Sequence, residues 1–246
     1  MLLIALLAEI FILFILSPHV ISTMFTFLML LFPSRSIAVT VITLVLFPGT
    51  IIHELSHLFT AEILGVKAGK LELVPDNIRK AEVQTGSVAI AVTDPLRRTL
   101  IGLAPFVTGL LLITAISWFL SASIGEAVNA FQSGTLYTHP SLYMAIGGVY
   151  LVFAISNTMI PSRVDLKGTP VVLGVIIAIT ITAYFVGFRF ALTGSSLELA
   201  QTILQALVQS LALVVAINTA LLVVISLNIR LMTKVLGIRL VSVNPH

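Results

Sequence analysis

The chain has 246 residues, 58% of them hydrophobic and 9% charged, with a formal net charge of +3 and a mean hydropathy of +1.14. This composition excludes a soluble domain and offers no basic surface for nucleic acid; it predicts an all-α polytopic membrane protein in contact with the lipid bilayer. There is no cysteine, so disulfides and thiolate metal sites are excluded and metal ligands must come from His, Asp or Glu.

Residues 1–33 exceed the roughly 20 that a span needs and read as one retained span, with Pro18-His19 a candidate kink. Glu9 within it reads as a carboxylate near one interface or facing the bundle. A second span covers 36–64; Pro48-Gly49 interrupts it and Gly65 is a candidate C-cap. Residues 66–98 carry Lys67, Lys70, Arg79, Lys80, Arg97 and Arg98. Lys70 to Leu73 and Ser87 to Val92 alternate with the period of a strand, and Pro75-Asp76-Asn77 marks a turn. The segment predicts a small membrane-associated β-hairpin or sheet, either an edge for an extended peptide or a plain connection. The third span is 99–120, with Gly102, Pro105 and Gly109 in its first half, followed by a loop over 121–141. The fourth span is 142–160, the fifth 170–188, and the last apolar stretch 199–229. Gln201, Gln205 and Gln209 form a ridge at the start of that stretch, predicting an interfacial turn or a packing seam. The expectation is about six transmembrane helices in one membrane-embedded domain over 1–246.

With six spans, the loops 66–98, 161–169 and 230–246 share one side and hold eleven Lys/Arg, against Arg35 and Arg189 opposite. Positive-inside bias then predicts both termini in the cytoplasm, most simply at the cell membrane, with Trp118, Tyr137 and Tyr143 toward the outer interface.

The second span holds Ile51-Ile52-His53-Glu54-Leu55-Ser56-His57-Leu58. On a helix, His53 and His57 are i and i+4 and project from one face, the spacing of two ligands on a tetrahedral zinc ion. Glu54 is placed to take a proton from a water that the metal activates. A lone buried histidine is more often a satisfied core residue. Three ionisable residues within five positions of a membrane span, however, need a common reason. From His53 to Gly65 is about 18 Å along a helix, so the motif sits on the inner side of the membrane's middle or close to it.

A catalytic zinc site takes three protein ligands and leaves one position open. His19, His139 and His246 lie at poor positions, and Glu62 and Asp94 lie near the loop. Asp165 is the leading candidate, at the inner end of the fourth span after Pro161, where irregular backbone is tolerated beside a cavity. Asp165 also fits a plain helix cap, or a pairing with Arg163 or Lys167.

The chain resembles the site-2 protease family of intramembrane zinc metalloproteases. The resemblance covers about 45–170. It rests on His53-Glu54-Leu55-Ser56-His57, on the strand-like segment opening at Gly65-Val66-Lys67-Ala68-Gly69-Lys70, and on Asn157 and Asp165, eight positions apart as in the family's Asn-to-Asp element. Gly102-Leu103-Ala104-Pro105 is similar to a small-residue and proline element of the family. Asp165 is followed by Leu166-Lys167-Gly168 where the family has glycine directly, and there is no inserted PDZ domain. The resemblance implies a catalytic core over about 36–170 with peripheral spans at 1–33 and 170–229. It implies Zn²⁺ held by His53, His57 and Asp165, Glu54 as the catalytic base, and Asn157 orienting substrate or intermediate. The implied activity is hydrolysis of peptide bonds in or next to the transmembrane segments of membrane-protein substrates. The alternative is a non-proteolytic membrane protein that retains a structural or regulatory zinc site. A transporter built from two related halves is disfavoured by the lack of an internal repeat.

Overall fold

A backbone in hydrocarbon must satisfy its own hydrogen bonds, and this apolar chain does so as helices. The structure, a computed structural model, describes residues 1–32, 34–72, 87–90, 93–187 and 193–236, without the side chains of 68–72, 87–90 and Leu136. The helices are α1 (Leu2–Leu31), α2 (Arg35–Ile63), α3 (Pro95–Gln132), α4 (Pro140–Thr158), α5 (Thr169–Phe185) and α6 (Ser195–Leu236). Six segments are long and apolar enough to cross a membrane, α5 counted with the turn before it as Asp165–Phe185. This is the make-up of a multi-pass membrane protein.

Local chemistry sets the helix ends. Ser34 Oγ accepts from the Ile37 N–H at 3.5 Å, and Asp94 Oδ1 accepts from the Arg97 N–H at 2.9 Å with Pro95 in the first turn of α3. That N–H chiefly holds the exposed Asp94 carboxyl below its ordinary range. Gly65, at φ 67°, lets α2 close with Val66 N–H donating to the Ala61 carbonyl at 2.8 Å.

Two expectations change. The loop over 121–141 is instead helix as far as Gln132. Ala122, Glu126, Ala127 and Ala130 favour helix, and the segment buries Ser123 and Ala130; its lower hydropathy marked the end of a span, not the end of a helix. The β segment over 66–98 is reduced to a short antiparallel ladder between Ala68–Glu72 and Ser87–Ile90, with Leu71 opposite Val88. Helix α3 takes over from Pro95, and 73–86, 91 and 92 lie outside the described residues. Such a ladder adds no layer, and the fold class is all-helical.

Packing layers give the helix directions. One layer joins Leu6 and Leu13 of α1 to Val152 and Ile155 of α4, to Met159 just after it, and to Leu211 and Val214 of α6. The next joins Ser17, Asn157 and Asn218 through hydrogen bonds. A third joins Met24, Ala145 to Phe153, Leu221 and Ile225 around an apolar groove of about 490 Å³. Residue numbers rise together in α1 and α6 and fall in α4, so α1 and α6 run parallel. Six strictly alternating crossings would make them antiparallel. The difference lies at α5, which packs on α3 and the turn before it and buries no residue, so it stands off the bundle formed by the other five. The N-terminus of α1 and the C-terminal end of α6 therefore lie at opposite ends of that bundle.

Close approaches draw α2, α3 and α4 together around the motif. A Cβ at Gly49 would overlap the Ala154 carbonyl, and one at Gly109 would come within 2.6 Å of Met159 Cβ.

Candidate metal centre

His53 and His57 project from one face of α2 with their Nε2 atoms 3.2 Å apart. His57, on the buried side, is 4% exposed, and its Nδ1 lies 2.8 Å from the carbonyl oxygen of Ile101 on α3. That carbonyl is available for a chemical reason. Its usual partner would be the N–H four residues on, and residue 105 is Pro105, which has none. A carbonyl only accepts, so His57 carries a proton on Nδ1, and its Nε2, a lone pair in the neutral ring, faces His53 and Asp165.

Asp165 reaches the histidines from a 3₁₀ turn, Asp165–Gly168, between α4 and α5. The Ser162 N–H donates to Asp165 Oδ2 at 2.7 Å, and the Asp165 N–H donates back to Ser162 Oγ at 3.3 Å. This reciprocal pair fixes the carboxylate and leaves Oδ1 3.4 Å from His57 Nε2. The start of α3 clamps the turn at both ends. Gly102 lies against the Asp165 backbone, where any Cβ would overlap its carbonyl. A Cβ at Gly168 would come within 2.7 Å of Thr99 Oγ1 and 2.8 Å of the Pro95 carbonyl.

His53, His57 and Asp165 thus offer three ligand atoms within 4.8 Å of one another. Ligands about 2.0–2.1 Å from a tetrahedral ion stand about 3.3 Å apart, and the two closest pairs, at 3.2 and 3.4 Å, match that edge. Two imidazole nitrogens and a carboxylate oxygen converge, and a cation bound between them would be met by all three. His53 Nδ1 is buried and has no hydrogen-bond partner among the described residues. The donor set of two imidazoles and one carboxylate suits zinc and similar divalent ions.

Glu54 is 4% exposed, makes no hydrogen bond among the described residues, and feels the charge of Asp165. A carboxylate used for architecture would be tied to donors or a cation; this one is free. Asn157 is engaged elsewhere. Its Nδ2 donates to the Phe153 carbonyl at 2.8 Å and to Asn218 Oδ1 at 2.7 Å, and Asn218 Nδ2 donates to Ser156 Oγ at 3.2 Å. Among the described residues no hydrogen bond joins Asn157 to the three ligands, and its buried Oδ1 has no partner. The set-aside histidines and acids have local roles or none: His19 Nδ1 bonds the Ile15 carbonyl, His139 and Asp94 cap helices, Glu62 is exposed, and His246 lies outside the described residues.

No family model, curated protein or solved structure matches the chain. The chemistry of the centre rests on its own geometry. Sequence reasoning missed the Ile101 carbonyl and Ser162. The first was signalled by Pro105 four residues later, and the second by the Ser-x-x-Asp spacing of a reciprocal cap.

Proposed function

We propose that the chain is a zinc-dependent intramembrane endopeptidase. One observation carries the proposal: His53, His57 and Asp165 converge at ligand spacing beside a buried, unbonded Glu54. The three residues would hold zinc, which when bound polarises a scissile carbonyl and acidifies water. Glu54 takes the proton of the attacking water and delivers it to the leaving amine. The Ile101 carbonyl and the Ser162 N–H keep His57 and Asp165 oriented throughout. Asn157 retains one free acceptor, Oδ1, for orienting substrate. A substrate span must unwind locally to expose its peptide bond, and the ladder between Ala68–Glu72 and Ser87–Ile90 offers strand pairing to the unwound segment. The substrates are membrane proteins with a transmembrane segment.

In membranes containing the wild-type chain, fragments of membrane-protein substrates are expected to appear, to stop on zinc chelation, and to return when zinc is restored. Cleavage that persists through chelation would sink the proposal. Bound zinc, with the same fragments present whether or not the chain is expressed, would favour a structural zinc site.

The centre lies at the end of the bundle that carries Lys67, Arg97, Arg98, Arg163 and Lys167, which positive-inside bias assigns to the cytoplasm. The parallel course of α1 and α6 puts Met1 at that end and Arg230 and Lys234 at the other. A reporter fused before Met1 is expected to read cytoplasmic, and one fused after α6 to read the opposite face. Two reporters on one face would refute the parallel arrangement.

A further inference from the structure

Helix α6 has one face that the bundle does not use. Leu204, Leu207, Leu211, Val214 and Asn218 turn inward, against α1, α3 and α4. On the outward side Thr202, Gln205, Gln209, Ala212, Ala216 and Thr219 are all exposed. Their spacings alternate between three and four residues, the repeat by which one straight helix lies along another. Among the described residues neither Gln205 nor Gln209 makes a hydrogen bond.

Depth turns this into a demand for a partner. No charged residue occurs between Glu198 and Arg230, and the midpoint of that stretch is Val214. At about 1.5 Å per residue Gln209 lies about 8 Å and Gln205 about 14 Å from it, against a hydrocarbon half-thickness of about 15 Å. Two primary amides facing acyl chains leave donors and acceptors unmet, and lipid tails supply neither.

We propose that this seam is the contact through which two copies of the chain pair, α6 against α6. Copies inserted in the same orientation pair about an axis along the membrane normal, so the helices run parallel and each seam residue meets its own counterpart. A glutamine is complementary to itself: its NH₂ donates to the carbonyl oxygen of the facing amide and its own oxygen accepts. Ala212 and Ala216 carry little bulk and let the backbones approach closely enough for those bonds to form. An apolar span would leave the amides unmet, and a charged one would itself be buried at a depth where α6 offers no counter-charge.

The chain has no cysteine, so single cysteines report contact cleanly. The full-length chain is oxidised in its native membranes with Ala212→Cys, Ala216→Cys, or the exposed off-seam controls Ile203→Cys and Val224→Cys. Disulfide-linked dimers are expected from the two seam positions and not from the controls. Adding Gln205→Leu and Gln209→Leu is expected to weaken pairing by roughly three- to tenfold per amide while monomer yield and zinc content hold. Equal crosslinking at all four positions, or seam crosslinking that survives loss of both glutamines, overturns the proposal. So does a seam cysteine captured by a different membrane protein.

Discussion

Asp165→Ala is expected to weaken zinc binding by more than about a hundredfold while leaving the helices in place. Loss of an outer-shell partner alone typically costs 10- to 100-fold in metal affinity, and Asp165 is proposed as a ligand itself. The structure separates this effect from unfolding. The Asp165 side chain is 14% exposed and sits on a connecting turn; among the described residues its carboxylate accepts a hydrogen bond from the Ser162 N–H, three residues away, and otherwise meets only His57 Nε2 at 3.4 Å. The turn is held independently by glycines at both ends, where Gly102 meets the Asp165 backbone and Gly168 meets Thr99. The measurement is competition against a chromogenic chelator in detergent, with helical content and thermal midpoint recorded for the same samples. Unchanged affinity would remove Asp165 from the site and leave His53 and His57 needing another third ligand. Loss of zinc together with loss of the fold would mean that the turn, not the carboxylate, had been tested.

The unequal standing of these residues at the sequence level has a physical cause. His53 and His57 were legible because helical geometry alone brings i and i+4 together. Asp165 was legible only as a candidate, because the contact with His57 closes across 108 positions and depends on how α3 packs (165 − 57). The Ile101 carbonyl has no side-chain signature, although Pro105 announced that a carbonyl four residues earlier would lack its helical partner. Asn157 was legible as a polar residue at a helix end, but its bond to Asn218 depends on where α6 lies, and local pattern does not encode that. The same limit applies to topology. Hydropathy finds apolar helices, and assigning one crossing to each makes α1 and α6 antiparallel. Whether a helix such as α5 joins the bundle is decided by side-chain complementarity, and α5, apolar on every side and buried on none, lacks an inward face. The length of α3 was hidden because the end of an apolar window need not be the end of a helix. The Gln ridge was legible from its spacing alone; its outward direction required the packing of α6 on α1.

Glu54→Gln is expected to lower cleavage by about 10²- to 10⁴-fold with zinc content unchanged, the range lost when a positioned proton carrier is removed. The substitution discriminates because it alters so little else. Glutamine has nearly the same volume, and at 4% exposure the site is closed enough for volume to matter. The carboxylate has no hydrogen bond to lose among the described residues, and Asp165 acts on it with a like charge. A neutral amide there relieves repulsion and lowers the burial cost of a charge, so the variant should fold at least as well as the wild type. The three proposed ligand atoms are untouched. Retained zinc with lost turnover therefore isolates proton transfer from metal binding and from folding, and the same variant should hold uncut substrate long enough to be recovered with it. Cleavage near the wild-type rate would remove Glu54 from the mechanism. Loss of zinc in the amide variant would mean that the carboxylate helps to hold the metal, which would turn the site from a three-ligand centre with one open position into a closed, four-ligand one. A closed tetrahedral centre is the signature of structural zinc. The outcome at this single side chain therefore decides between an enzyme and a metal-stabilised membrane scaffold.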